Sequence, residues 1–192
     1  MSSPPLPPTG RASAPWSPRL IDALCAWGTD ETSHSGRALL DHLVGTADRL
    51  RAWRNPEPVC LAGLFHSVYG TQSFTIQSVP MERRDQIVAL IGEEAEALAW
   101  LFCVCRRRGL WGAPPGEALV LQQHATGEAI PVSARQAGQL LEIEVANLLD
   151  QLPPRARGGP EREAYMRTFH AGIQGWVSSG AMGALEAWLE AP

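Results

Sequence analysis

Apolar positions recur at intervals of three and four through most of the chain after residue 18, the spacing of helices that each bury one stripe. The longest such pattern, Leu39, Leu40, Leu43, Val44, Ala47 and Leu50, predicts a helix from about 34 to 53. The capping residues of "TDETSHSG" precede it and "RNPEP" ends it. Before it, "RLIDALCAWG" predicts a short helix closed by Gly28; after it, a compact apolar helix runs from about 57 to 67. "YGTQSFTIQSVP" reads as a loop, and "MERRDQIVALIGEEAEALAWLFCVCRRR" as two helices that turn near Ile91–Gly92. A second loop begins at Pro114, Pro115 and Gly116 and continues with weak structure through "HATGEAIPV". Ser133 with Gln136 three positions on forms a capping-box pattern that opens "ARQAGQLLEIEVANLLDQL". "PPRARGGP" reads as a linker before closing helices at 161–176 and 181–190. No pair of strands stands out. The predicted class is all-α, with a leader at 1–18, a compact helical domain at 19–152, a linker at 153–160 and a C-terminal helical extension at 161–192.

Composition narrows the field. A chain of 192 residues fits one domain with a proper core. A formal charge of -4 argues against a nucleic-acid or anionic-membrane surface as the main business. No stretch approaches 18 consecutive apolar residues, so no membrane span is predicted. The Pro- and Ser-rich start has no signal-peptide core and reads as a disordered leader. Cys25, Cys60, Cys103 and Cys105 are poorly spaced for zinc and read as reduced thiols of a cytoplasmic protein. The dispersed tryptophans read as packing anchors, and "CRRR" at 105–108 as a basic helix end.

The candidate chemistry lies with the histidines. His34 is expected at the start of the long helix with Arg37 one turn on, and His66 ends the next helix in "LAGLFHSVYGT". His124 falls in a Gly-containing loop and His170 among the aromatics of the tail, both ordinary settings. His66, Ser67 and Tyr69 cluster at one helix end, with His34 expected across from them. Imidazole suits proton transfer, while Tyr and Ser hydroxyls suit a developing oxyanion.

These segments resemble the HD-domain superfamily of metal-dependent phosphohydrolases, and most of all the hydrolase domain of the ppGpp synthetase/hydrolase proteins. "HSGR" at His34–Arg37 is similar to the family's first-histidine helix. "LAGLFHSVYGT" is similar to its "AALLHDxxEDT" segment, and "EVANLLDQL" at Glu144–Leu152 to its "KLADRLHNM" helix. The likeness spans about residues 30–152 and implies an HD-like helical fold. Carried over position by position, the family's metal ligands fall on His34, His66, Ser67 and Asn147, and its assisting acidic pair on Gly70 and Thr71. Both ligand carboxylates are thus replaced by neutral groups, which removes much of the affinity for a hard ion such as Mn²⁺.

Nearby residues offer substitutes. Asp41 lies two helical turns after His34 if both share one helix, and His42 roughly 80° further round. Glu144 lies one turn before Asn147, and Asp150 nearly one turn after it. A carboxylate recruited from these would suit Zn²⁺, Fe²⁺ or Mn²⁺; otherwise no cofactor is expected. The resulting expectation is a small-molecule enzyme on an HD-like scaffold with a rebuilt site. Its catalytic groups are His34, His66 and Tyr69, its ligand-binding groups Arg37, Ser67 and Asn147, and its metal ligands, if any, His34 and His66. The alternatives are an inactive domain that binds a nucleotide or small ligand in regulation, a phosphohydrolase or non-haem iron oxygenase with substitute ligands, and a structural protein built on the terminal helices. The expected partner is a small molecule, with no nucleic acid and no membrane.

Overall fold

The computed structural model describes residues 16–152 and 159–191. Eight helices dominate these residues: α1 (Pro18–Ala26), α2 (Leu39–Ala52), α3 (Glu57–Phe65), α4 (Arg84–Ile91), α5 (Glu93–Val104), α6 (Ala134–Gln151), α7 (Gly159–Gly172) and α8 (Ser179–Glu190). None is long and apolar enough to cross a membrane. The fold is mostly helical, as the periodicity predicts.

Local signals explain most boundaries. Pro18 starts α1 with its φ already set for a helix. Gly92, at φ 84, separates α4 from α5 in a conformation that side chains avoid. Glu93, Glu94 and Glu96 then occupy the first turn of α5, where the helix dipole favours them. The predicted capping box forms at α6: Ser133 Oγ accepts from Gln136 N at 3.2 Å, and Gln136 Oε1 accepts from Ser133 N at 3.0 Å.

The centre is a packing of α2, α3, α5 and α6. Helix α3 is enclosed almost completely, with Val59, Ala62, Leu64 and Phe65 at 0% exposure. It approaches α2 so closely at Gly63 that a Cβ there would collide with Leu50. Helices α7 and α8 extend the same core through Met166, Phe169, Leu185 and Leu189.

Several expectations need correction. The chain is not purely helical, because it contains two small antiparallel hairpins. In the first, β1 (Ser33–His34) pairs with β2 (Arg37–Ala38). Ser35 and Gly36 turn it with φ 51 and 83, a left-handed pair that no helix accommodates. Helix α2 therefore begins at Leu39 rather than 34, and His34 lies on a strand. In the second hairpin, β3 (Leu119–Gln122) pairs with β4 (Ala129–Val132), in the region expected to be weakly structured.

At the termini, Trp16 belongs to the core although it falls within the expected leader. Its Nε1 donates to Asp48 Oδ1 at 2.9 Å, and the Arg51 guanidinium lies 3.5 Å from its ring centre. Residues 1–15 of that leader, and 153–158 of the expected linker, lie outside the described residues; residues 159 and 160 already belong to α7.

Candidate functional site

Three polar atoms from three helices meet in the core. His42 lies on the buried face of α2, His66 follows the last turn of α3, and Asn147 sits on α6. His42 Nε2 and His66 Nε2 are 3.1 Å apart, and Asn147 Oδ1 is 3.1 Å from each. His42 and His66 are 0% exposed.

The other ring nitrogens fix what these atoms carry. His66 Nδ1–H donates to the Gly63 carbonyl at 2.6 Å, and His42 Nδ1–H to Asp150 Oδ2 at 2.6 Å. Each neutral imidazole then turns its Nε2 lone pair inward, toward an amide oxygen that also only accepts. Asp150 is held from behind by an ion pair with Arg37. Burial, then the neighbouring His66, His34 and Arg37, push the His42 pKa down to about 2. Burial likewise lowers the His66 pKa to about 4. Both shifts favour the neutral imidazole near neutral pH.

Gln151 joins the cluster to His34. Its Nε2 lies 2.9 Å from Asn147 Oδ1, 2.8 Å from His34 Nε2 and 3.2 Å from His42 Nε2. The His34 ring stands 4.7 Å from that of His42 and meets Phe74 edge-on at 4.5 Å. Burial and then Arg37 lower its pKa as well.

Above the cluster lies a cavity of about 240 Å³, with His34, Asn147 and Gln151 on its wall. Ser35, Ser67, Thr71 and Ser73 line it, and so do Phe74, Phe102 and Tyr165. Leu148, Arg107 and Glu144 complete the lining. Arg107 Nε donates to Glu144 Oε2 at 2.7 Å, and the guanidinium stacks 3.7 Å from the centre of the Phe102 ring.

The expected site residues fall into three groups. His66, Ser67, Asn147 and His34 come together here, but His34 reaches the cluster only through Gln151. The place beside His66 that was expected of His34 belongs to His42, because the hairpin takes His34 out of the helix. Arg37 supports Asp150 from behind. Of the remaining three, two lie elsewhere, and Glu144 lines the cavity without reaching the imidazoles. Tyr69 donates from its hydroxyl to Glu96 Oε1 at 2.9 Å, on the far side of its turn. Asp41 is exposed on α2. Glu144 pairs with Arg107 rather than approaching the imidazoles.

Gln151 and Arg107 were not anticipated as site residues. For Gln151 a signal existed: Glu144, Asn147 and Gln151 are spaced three and four apart, one face of α6. Arg107 gave none beyond its place in a basic run.

Residues 23–107 match the family model of a domain of unknown function, DUF6817. No curated protein and no solved structure matches the chain. The matched segment carries His34, His42, His66 and Arg107. The α6 residues of the site and Tyr165 of α7 lie beyond it.

The donor set fits a metal of one kind. Among the described residues, no three His, Cys, Asp or Glu side chains stand together as ligands, and the third donor here is an amide oxygen. Two imidazole nitrogens and one neutral oxygen suit Zn²⁺ or Fe²⁺ and disfavour Mg²⁺ or Ca²⁺, which demand oxygen, mostly anionic. Spacings near 3 Å between ligand atoms are what metal–ligand bonds of about 2.0–2.1 Å produce around one ion. Nδ1–H bonds to a carboxylate and a carbonyl are the usual outer supports of ligating histidines.

Proposed function

We propose that the chain is a small-molecule enzyme on an HD-like scaffold, with Zn²⁺ or Fe²⁺ held by His42, His66 and Asn147, of which Asn147 reaches the cavity wall. One observation carries this reading: His42 Nε2, His66 Nε2 and Asn147 Oδ1 meet at 3.1 Å, and neutral rings whose Nδ1–H groups donate outward leave no hydrogen between His66 Nε2 and either neighbour. Such an arrangement is repulsive unless a cation or a proton occupies it. The order of elements supports the scaffold: imidazoles on two successive helices and a polar side chain on a late helix. Ser67 and Asn147, at positions where the HD family places carboxylates, support a rebuilt site rather than ppGpp hydrolysis.

A bound ion of this class polarises a substrate oxygen or lowers the pKa of a bound water. The chain's own groups do the rest. His34 lines the cavity with its Nε2 accepting from Gln151, which leaves its Nδ1–H as the donor it can offer a substrate oxygen; it takes up a proton only if Gln151 releases Nε2. The Ser67 and Thr71 hydroxyls orient polar substituents, and Phe74 covers His34 on its open side. The reaction class supported best is hydrolysis or a related proton-transfer reaction of a small polar molecule.

The test is metal content with variants. After reconstitution with Zn²⁺ or Fe²⁺, the wild-type protein should retain stoichiometric metal, and His42→Ala and His66→Ala should lose it. His34→Ala should keep the metal and lose turnover. A second reading follows if the Asn147 and Gln151 amides are both reversed, since Asn147 Nδ2 then donates to both imidazoles and closes the network without an ion. The cavity would then be a metal-free binding site. A thermal midpoint that Zn²⁺ does not move decides for that reading.

A further inference from the structure

The cavity wall also carries an incomplete ion pair. Arg107 uses Nε on Glu144 Oε2 and Nη1 on the Phe102 carbonyl. Among the described residues, Arg107 Nη2 and Glu144 Oε1 have no hydrogen-bond partner. Both side chains line the cavity, at 15% and 8% exposure. A free donor and a free acceptor therefore belong to two side chains joined by one hydrogen bond, the arginine being fixed also by a carbonyl and a ring. Such fixing lowers the ordering cost of binding.

We propose that the Arg107–Glu144 pair is the recognition end of this cavity and selects a planar carboxamide or lactam edge, an acceptor beside a donor. This rests on the reading of the cavity as the substrate site. The amide oxygen accepts from Arg107 and the amide N–H donates to Glu144. The Phe102 and Tyr165 rings, which also line the cavity, flank the plane of the ligand. A carboxylate or phosphate matches Arg107 alone and brings a second negative charge against Glu144, with no hydrogen to offer it. The pair thus selects against simple anions, although a guanidinium alone would attract them.

Benzamide and benzoate are the probes, since they share shape and differ in this edge. Titrated into the full chain by calorimetry, benzamide should bind, and benzoate should bind at least about tenfold more weakly, the scale of one hydrogen bond to a charged group. Glu144→Gln leaves Arg107 without its counter-charge, so the preference should collapse or turn toward benzoate. Tyr165→Ala, at an exposed position on α7, should weaken benzamide severalfold and leave the fold intact. Benzoate binding as tightly as benzamide to the wild type overturns the proposal, and so does saturable binding of neither. The wild-type comparison needs no variant, so it decides the matter even where a Glu144→Gln protein fails to fold. Metal-free and Zn²⁺-treated protein should be titrated in parallel. An amide preference in a chain that takes up no metal overturns the metal reading alone, and metal uptake without an amide preference overturns this inference alone.

Discussion

His66 and Tyr69 lie three residues apart in the turn after α3, both sealed from solvent, and their side chains enter two polar clusters of opposite balance. Around Tyr69 every group is satisfied. Glu96 Oε1 accepts from the Tyr69 hydroxyl at 2.9 Å and from Arg84 Nε at 2.7 Å, while Oε2 accepts from Arg84 Nη2 at 2.7 Å. Around His66 the lone pairs outnumber the hydrogens. The first pattern is that of a buried network that fixes structure; the second leaves room for something the chain does not supply. Residue type alone does not separate them, since tyrosine, glutamate and arginine are as much catalytic residues as histidine is. The count of donors against acceptors does.

Acid should reach the histidine cluster first, and with the largest effect. His42 and His66, at about 2 and 4, lie below the ~6.5 of a free imidazole. Between those values the unfolded chain binds more protons than the folded one, so stability rises with pH. It is complete above about 6.5 and is lost as pH falls toward 4. For two imidazoles in metal-free protein, the loss from pH 7 to 5 should be on the order of 3 kcal/mol. Urea midpoints across that range, set against a His42→Gln/His66→Gln double variant, measure it. A wild type as insensitive to acid as the double variant would mean that the imidazoles are not buried neutral.

Removing the common acceptor is the matching blow to the other cluster. Glu96→Ala strands a buried hydroxyl and one face of Arg84, and should cost about 2–3 kcal/mol, with Arg84's partial exposure keeping it at the low end. Metal retention should not change. Urea unfolding together with metal analysis reads both quantities, and a variant that loses metal as well as stability would show the two clusters to be one unit.

A subtler change tests the support behind His42. Asp150→Asn keeps the shape but weakens the acceptor for Nδ1–H, and loss of such outer support typically lowers metal affinity by about 10–100-fold. Gly45→Ala should act in the same direction, because a Cβ at that position collides with the Asp150 carboxylate. Competition with a chelator measures both. Unchanged affinity in Asp150→Asn would remove Asp150 from the site.

How much of this was legible in the sequence depended on how local its cause was. The break at Gly92 and the cap at Ser133 are decided within a few residues, and both were readable. The β1–β2 hairpin was not, because Ser35 and Gly36 suit a helix cap as well as a left-handed turn. What settles the matter is distant: Leu39 N bonds Thr32 O at 2.8 Å, and Arg37 is drawn to Asp150 on α6. The hairpin takes His34 off α2 and gives its place to His42, which follows Leu39 by three residues on the buried stripe and was expected only as a substitute. Strand β3 has only four residues and pairs with a β4 that contains Pro131, so neither carries a strong pattern alone. Asn147 and His66 were readable from motif spacing, whereas the direction of Tyr69 was fixed by Glu96, 27 positions away.

Tyr69→Phe gives the smallest effect and separates the clusters most cleanly. Its hydroxyl was expected to serve chemistry beside His66, and in that case its loss would abolish turnover with little change in stability. The geometry requires the reverse. Glu96 keeps both bonds to Arg84 when the tyrosine hydroxyl is removed, so no charge is stranded, and the cost should be about 1 kcal/mol, that of one hydrogen bond. The single hydroxyl hydrogen is given to Glu96, which leaves none for a developing oxyanion, and burial and then that bond raise the Tyr69 pKa well above that of a free phenol. Metal retention and the preference for benzamide over benzoate should both match the wild type. A Tyr69→Phe protein of unaltered stability that has lost either property would place the hydroxyl in the histidine site after all.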